Sequence, residues 1–275
     1  MKIAVTGAKG RLGSWLVRSG AHPLDCDITS VKSVHDAFEF FEPDVIINCA
    51  AFSGVDACED EEHSERAMKV NMWGPGNLRR SFEGYFVQIS TGFVFDGEDG
   101  PYDEEVMPRP INWYGWTKFG GESAAMLRGP TLVVRVLDLF GPGPKTDFVR
   151  EIRDVLELGQ PYDLPSTLYG SPTYIPHLAE ALLKAIETGI TGILNIAGDQ
   201  VLSRYEWGKC IAEHFGYDPD LIRSSKSIKG SAMRPLRGGL KIDLAREKML
   251  PIYSPIEGLA QIAEGEDDEA LVNTT

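Results

Sequence analysis

An α/β fold is predicted by two observations. Short apolar runs alternate with helix-period segments along the chain, and the first run ends on Gly7-x-x-Gly10-x-x-Gly13 just before a helical stretch. Strand, glycine turn and helix in that order open a Rossmann-type doubly wound parallel sheet with helices on both faces. Residues 1–140 are expected to form that NAD(P)-binding sheet. Residues 141–260 are expected to build a smaller C-terminal substrate-binding lobe and to return to the sheet around 170–200. Residues 261–275 are expected to be an acidic, disordered tail.

Residues 2–6 are an apolar run that suits a buried parallel strand. Gly7 then suits a tight turn, Gly10 lets a pyrophosphate approach the backbone, and Gly13 permits close packing of helix on strand. Arg11 and Leu12 are carried between them. The second strand is abbreviated, because only residues 21–29 separate the first helix from the next. In dinucleotide folds an acid near this point meets the adenosine ribose, and Asp25 and Asp27 are both candidates, with Ile28 beside the latter. Alternatively Asp27 belongs to a turn, and Thr29 or Ser30 caps the helix over 31–41. Lys9 and Arg11 are candidates to meet a 2′-phosphate, so NADP and NAD both stay open.

The strand over 44–51 ends in Ala50 and Ala51, small residues against which a flat cofactor can lie or which simply allow close packing. Ser53 follows in a loop over the strand end, where ligands sit in doubly wound sheets. The acid-rich stretch 56–65 reads as a solvated loop and helix start without the EF-hand ligand pattern. Residues 67–80 read as one helix, with Asn71 facing inward or capping a local irregularity. A strand over 85–90 then delivers Ser90 and Thr91 to the carboxyl end of the sheet, followed by Gly92 and Phe93.

A helix over 114–127 places Tyr114 and Lys118 four residues apart, on one face. Hydroxyl, phenol and ammonium are the groups that protonate a carbonyl oxygen while a hydride arrives, and the ammonium is expected to lower the phenol's pKa. Tyr-x-x-x-Lys alone is a weak motif. It gains specificity after a Ser-Thr strand end and an N-terminal glycine turn. Beyond it, helices are expected over 149–158 and 177–188, a return to the sheet at 170–174 and a last strand over 192–197. Ser203 with Glu206 forms a capping box for a helix reaching Phe215. The basic stretch 226–237, with Arg234 and Arg237, is placed near a nucleotide's diphosphate, or is a basic turn flanking a helix.

Composition sets the outer bounds. Hydrophobic content of 43% and charged content of 25% fit a soluble globular protein. No apolar run reaches the roughly 20 residues of a bilayer span, and Met1-Lys2-Ile3 leads directly into a strand without a signal-peptide core, so the cytoplasm is expected. The net charge is −14, and setting aside the five acids Glu264, Glu266, Asp267, Asp268 and Glu269 leaves about −9 on the body. That argues against nucleic-acid or anionic-membrane partners. A phosphorylated small ligand remains compatible, since backbone N–H groups at a helix N-terminus bind phosphate. Cys26, Cys49, Cys58 and Cys210 show no metal or redox spacing and are expected as reduced thiols. The histidines fall in no metal spacing either, and no metal is expected.

Several motifs fall together: Gly7-x-x-Gly10-x-x-Gly13, Asn48-x-Ala50-Ala51, Val70-Asn71, Ser90-Thr91-x-x-Val94-Phe95-Asp96-Gly97, Pro101-Tyr102 and Tyr114-Gly115-x-x-Lys118. Later come Arg135, Phe140-Gly141, Pro172-Thr173, and Ala232-Met233-Arg234-Pro235 ahead of a short helix containing Leu240. Over about residues 1–260 the chain resembles the extended short-chain dehydrogenase/reductases, and within them the dTDP-4-dehydrorhamnose reductase branch. The resemblance implies an NAD(P)H-dependent reductase of a nucleotide-linked 4-keto-6-deoxy sugar. It assigns catalysis to Thr91, Tyr114 and Lys118, with Lys118 also holding the nicotinamide ribose. Cofactor contacts are expected from Gly7, Gly10, Arg11, Leu12, Gly13, Asp27, Ile28, Ala50 and Ala51, together with Tyr114 and Lys118. Ser53 is expected at the sugar, with Gly92, Phe93, Asp138 and Arg234.

Two departures bear on the substrate. The branch usually reads Ser-Thr-Asp-Tyr where this chain reads Ser90-Thr91-Gly92-Phe93, and it carries a Trp near the sugar where Asp138 stands. A same-fold alternative is an NAD-dependent nucleotide-sugar epimerase. Another is a non-catalytic regulatory subunit resembling that of methionine adenosyltransferase. A homodimer is the oligomer expected.

Overall fold

Six parallel strands organise the computed structural model, in which residues 1–265 are described. The sheet comprises β1 (Ile3–Thr6), β2 (His22–Pro23), β3 (Val45–Asn48), β4 (Tyr85–Thr91), β5 (Thr131–Val136) and β10 (Gly192–Asn195), in the order β10-β5-β4-β3-β1-β2. All neighbours run parallel, with Thr6 opposite Asn48 and Thr91 opposite Val136. The chain lays β2 on one side of β1 and β3 on the other. The topological switch point, where doubly wound sheets open a crevice for ligands, therefore lies between β1 and β3.

Alternate strand residues point to opposite faces and collect opposite helices. Val5, Ile47, Val87 and Val134 pack under α1 (Arg11–Arg18) and α7 (Ile175–Glu187) through Leu16, Leu178 and Leu182. Ala4, Ile46 and Phe86 pack under α2 (Val31–Phe40), α4 (Gly74–Ser81) and α5 (Trp113–Ala125) through Val34, Leu78 and Ala125. Both faces are covered, which is why these strands read as unbroken apolar runs.

A second core gathers Phe140, Ile152, Trp207, Ile211 and Leu259. It is built by α6 (Phe148–Glu157), α8 (Arg204–His214) and α10 (Pro255–Ala263), with the parallel pair of β7 (Tyr162–Pro165) and β12 (Ile222–Ser225). The Ser203–Glu206 capping box is present at the start of α8. Among the described residues no helix is long and apolar enough to cross a membrane, and all four cysteines are free.

The elements differ from the sequence reading in four places. The expected single helix over 67–80 is three pieces: α3 (Glu61–Met68), a π-helical turn Lys69–Trp73, and α4. Residues 170–174 do not rejoin the six-stranded sheet. Instead β8 (Tyr169–Gly170) pairs with β11 (Leu202–Ser203), and β9 (Thr173–Tyr174) with β6 (Leu139–Phe140), because β10 already fills the place beside β5. Leu240 bridges to Tyr102 and donates its N–H to Ser171 Oγ at 3.1 Å, so the short helix, α9, is confined to Asp243–Glu247. The first residues of the tail expected from 261 belong to α10, which runs to Ala263. Ser254 and Glu257 cap α10 at its start, and Gly265, at φ 78°, follows its end. Residues 266–275, where disorder was expected, lie outside the described residues.

Candidate active site

The glycine turn places the N-terminus of α1 at the mouth of a cavity of about 550 Å³. Gly7 sits at φ 66°, and a Cβ there would lie 2.6 Å from the Ala50 nitrogen. A Cβ on Gly13 would lie 2.2 Å from the Gly7 carbonyl oxygen. Those two glycines are dictated by backbone packing. Gly10 differs, since a Cβ there meets only the Gly7 oxygen, at 3.2 Å, and the residue lines the cavity with Arg11, Leu12 and Gly13. As N-cap it has no side chain to occupy the first-turn N–H groups of α1. An uncapped helix start on an open cavity fits the diphosphate of a dinucleotide.

Arg11 is turned across the cavity. Its Nη1 donates to the Leu139 carbonyl at 3.1 Å, its Nη2 donates to the Thr146 carbonyl, and it pairs with Asp147 at 3.4 Å. Burial lowers its pKa, with Asp147 opposing. Arg11 thus lines the cavity while tying α1 to the second lobe, and does not offer a free guanidinium to a 2′-phosphate. Ala51 lines the cavity, whereas Gly7 and Ala50 form the backbone contact behind it.

Asp27 and Ile28 lie outside the cavity lining. Asp27 Oδ1 accepts from Thr29 N at 2.9 Å and Thr29 Oγ1 at 2.7 Å, while Ser30 caps α2. The turn and the cap both form, and the turn uses one Asp27 oxygen, Oδ1. Those Thr29 hydrogen bonds lower the Asp27 pKa. Ile28 is buried against Gly74, and its carbonyl accepts from Asn77 Nδ2 at 3.0 Å. With only two residues of β2 paired, Leu24 and Ile28 turn into the core while Asp27 stays exposed.

Strand β4 and helix α5 bring Thr91, Tyr114 and Lys118 to the same cavity. Asn112 starts α5 by accepting from Gly115 N at 2.8 Å, and donates to the Met233 carbonyl at 2.9 Å. The Thr91 hydroxyl accepts from Phe93 N at 3.2 Å and lines the cavity with the Tyr114 phenol, and the rings of Phe93 and Tyr114 meet edge to face at 5.7 Å between centroids. Lys118 is 3% exposed and donates to the Ile89 carbonyl at 2.6 Å. Burial pushes the Tyr114 phenol up to about 12, with the Thr91 hydroxyl pulling the other way. Burial brings Lys118 down to about 8, opposed by Glu122. Lys118 was expected to lower the phenol's pKa. Burial governs both groups, and the ammonium is directed at the Ile89 carbonyl.

Buried polar residues hold this trio in place, and one of them, Glu122, belonged to none of the motifs. Glu122 lies on the Tyr114–Lys118 face of α5, one further turn along. It accepts Arg135 Nε at 3.0 Å and Nη2 at 2.8 Å, as well as the Ser90 hydroxyl. Asn71, in the π-helical turn, accepts from Phe52 N at 2.8 Å and donates to Phe52 O and Thr117 Oγ1, each at 3.0 Å. It pins the loop carrying Ser53 to α5. The acid-rich stretch is more than a solvated loop, since Glu59 accepts from Trp113 N at 2.7 Å and Asp56 pairs with Arg234 at 2.6 Å.

Of the residues expected at the substrate, Ser53, Phe93 and Asp138 line the cavity. Gly92 is buried beneath it, against Leu137 and Leu240. Arg234 is also outside the lining, because its guanidinium is taken by Asp56 and by the Ala232 carbonyl. Phe148, Arg204 and Trp207 complete the wall from the second lobe and carried no recognisable spacing. His35, Asp36 and Glu39 come within metal-binding reach of one another on α2, but Lys32 pairs with Asp36 at 3.0 Å and none of the three lines the cavity.

Residues 1–262 match the family model described as RmlD substrate binding domain. The dTDP-4-dehydrorhamnose reductase of Mycolicibacterium smegmatis is 36% identical over 238 residues, covering 81% of this chain and 72% of that protein. The dTDP-4-keto-6-deoxy-D-glucose reductase of Streptomyces niveus is 31% identical over 260 residues, 88% of this chain and 89% of its own. A crystal structure of dTDP-4-dehydrorhamnose reductase from Bacillus anthracis, in complex with NADP, superposes with a TM-score of 0.89 at 27% identity, covering 96% of this chain and all of that one.

Proposed function

Since the chain belongs to the RmlD substrate binding domain family, we propose that it is an NAD(P)H-dependent oxidoreductase that reduces the 4-keto group of a dTDP-linked 6-deoxy sugar. Support comes from the named activities of its relatives and from NADP in the Bacillus anthracis structure. The observation that carries the reading is the meeting of Thr91, Tyr114 and Lys118 in one cavity with the uncapped N-terminus of α1.

The cradle fits a dinucleotide. Gly10, Arg11, Leu12 and Gly13 would hold its diphosphate, Ala51 would lie along it, and Lys118 would meet the ribose nearest Tyr114. When bound in reduced form, such a cofactor supplies the hydride. The Tyr114 phenol gives its proton to the substrate's carbonyl oxygen as that oxygen becomes an alcohol. A phenol held at about 12 is fully protonated at neutral pH, so it begins the reaction as an acid. The positive charge of Lys118 and the Thr91 hydroxyl stabilise the phenolate left behind, which solvent protons restore. Ser53 and Phe93, both in the cavity lining, would meet the sugar.

Replacing Tyr114 by Phe tests this. NADPH affinity, followed by fluorescence, should change less than about twofold. Turnover of dTDP-4-keto-6-deoxyglucose should fall by roughly 10²–10⁴, the usual contribution of a positioned proton donor. Unchanged turnover would remove Tyr114 from the chemistry. Net NADPH consumption equal to the sugar reduced separates this reading from epimerisation, which consumes none.

A cytoplasmic location is part of this proposal, in keeping with soluble biosynthetic relatives. It is assigned a homodimer, supported by Trp73, Trp116 and Met72 standing 47%, 54% and 38% exposed where α4, α5 and the π-helical turn meet. Light scattering should give twice the 30.3 kDa chain mass, and a monomer at micromolar concentration would refute the pairing.

A further inference from the structure

One ion pair in the cavity wall has no role in the hydride and proton chemistry. Asp138 follows β5 by two residues, and β5 places Val136 opposite Thr91, so Asp138 stands at the same sheet edge as the reacting groups. It adopts φ 50°, a left-handed conformation that a residue with a side chain adopts at a cost. Its carboxylate is wedged between two partners. A Cβ on Gly170 would fall 1.7 Å from Oδ2, and Oδ1 accepts from Arg204 Nη2. Arg204 is the first residue of α8, and its guanidinium lies over the Phe148 ring at 4.7 Å. The two side chains are 10% and 25% exposed, and both line the cavity.

A guanidinium carries five N–H donors in a fixed plane. One donor faces Asp138, a face rests on Phe148, and the outer edge is free to face the cavity. With Asp138 balancing its charge, this edge is a directed hydrogen-bond donor with little net positive field. Such an edge suits the hydroxyl oxygens of a neutral sugar. It does not suit a carboxylate, which would meet Asp138 repulsion alongside the Arg204 attraction.

We propose that Arg204, oriented and charge-balanced by Asp138, is the specificity-determining contact for the sugar ring, selecting nucleotide-linked neutral hydroxylated hexoses over nucleotide-linked uronic acids. The inference rests on the sugar-nucleotide reading given above and adds to it the residue that reads the sugar.

Calorimetric binding tests it without requiring turnover, using dTDP, dTDP-glucose and UDP-glucuronic acid on the NADPH-loaded protein. Arg204→Gln should weaken dTDP-glucose about tenfold or more, the worth of a hydrogen bond from a charged donor, and leave dTDP and NADPH within about twofold. Asp138→Asn, which leaves the guanidinium unbalanced, should raise UDP-glucuronic acid affinity relative to dTDP-glucose by roughly fivefold or more. Should a lone buried charge prevent folding, the Asp138→Asn/Arg204→Gln double variant, which leaves no unpaired charge, should show the same loss for dTDP-glucose against dTDP. Equal losses for dTDP and dTDP-glucose would make Arg204 a phosphate contact and overturn the proposal. So would no change for any ligand, which would make the pair a purely structural bridge. Binding of dTDP-glucose by the wild-type protein without reduction of any 4-keto sugar would sink the reductase reading alone. Absence of any sugar-nucleotide binding would sink both.

Discussion

At the scale of single residues, the most informative group is Lys118. Its amine is nearly fully buried and its pKa is down to about 8, first through loss of hydration, with Glu122 as the main opposing influence. The folded pKa lies below that of the free side chain. Between about pH 8 and 10.5 the unfolded chain therefore holds a proton that the folded one lacks, and this lysine's contribution to stability improves as pH rises through that window. Activity runs the other way, because only the ammonium can support the Tyr114 phenolate. The kcat/KM for NADPH-dependent reduction should be level up to about pH 8 and fall above it, while the melting temperature shows no matching loss. A rate profile flat to pH 10 would show that the charge of Lys118 is not required.

The same scale shows what a sequence can reveal. Thr91, Tyr114 and Lys118 were legible because a strand end and an i, i+4 helix face are local patterns. The pairing of Arg234 was not legible, because its partner, Asp56, is 178 positions away and nothing local says that a basic residue is already paired. Asp27 could be read in two ways from its neighbours, and the turn that its hydrogen bonds to Thr29 form was one of them.

At the scale of elements, the π-helical turn Lys69–Trp73 is the irregularity at Asn71 that the sequence offered as one alternative within an otherwise helical pattern. Residues 67–80 hold the right spacing for one helix, and the irregularity is forced from outside. A Cβ on Gly121 would lie 2.1 Å from the Asn71 carbonyl oxygen, so α5 passes close against this turn. The wider turn leaves the Asn71 side chain aimed at Phe52 and Thr117. The poor helix formers Gly74, Pro75 and Gly76 were the available signal. Asn71→Ala leaves the Phe52 N–H, the Phe52 carbonyl and the Thr117 hydroxyl without this partner. The expected loss is about 1–3 kcal/mol in urea denaturation, the usual cost of stranding buried polar groups. Because Phe52 precedes Ser53, the KM for the sugar nucleotide should rise while the affinity for NADPH holds. An unchanged KM would mean that the Ser53 loop keeps its place without Asn71.

Across the whole molecule, the cavity lies between two apolar cores and draws its wall from both: Leu12, Ile89 and Val136 from one side, Phe140, Phe148 and Trp207 from the other. Two ion pairs cross between those sides, Arg11 with Asp147 and Asp138 with Arg204. The sheet itself is shared, since α7 and β10 return to it after the first part of the second lobe has been built. Two cores so interleaved along the chain should unfold together. A ligand that fills the cavity binds only the folded form and adds RT ln(1 + [L]/Kd) to its stability, about 2.7 kcal/mol at a hundredfold excess over Kd. At roughly 2–4 °C per kcal/mol for a chain of this size, NADPH should raise the melting temperature by on the order of 5–10 °C. It should move one cooperative calorimetric transition as a unit, and dTDP added afterwards should move it further. Two transitions, with NADPH shifting only one, would mean that the second lobe unfolds independently and that the ion pairs across the cavity do not couple it to the sheet.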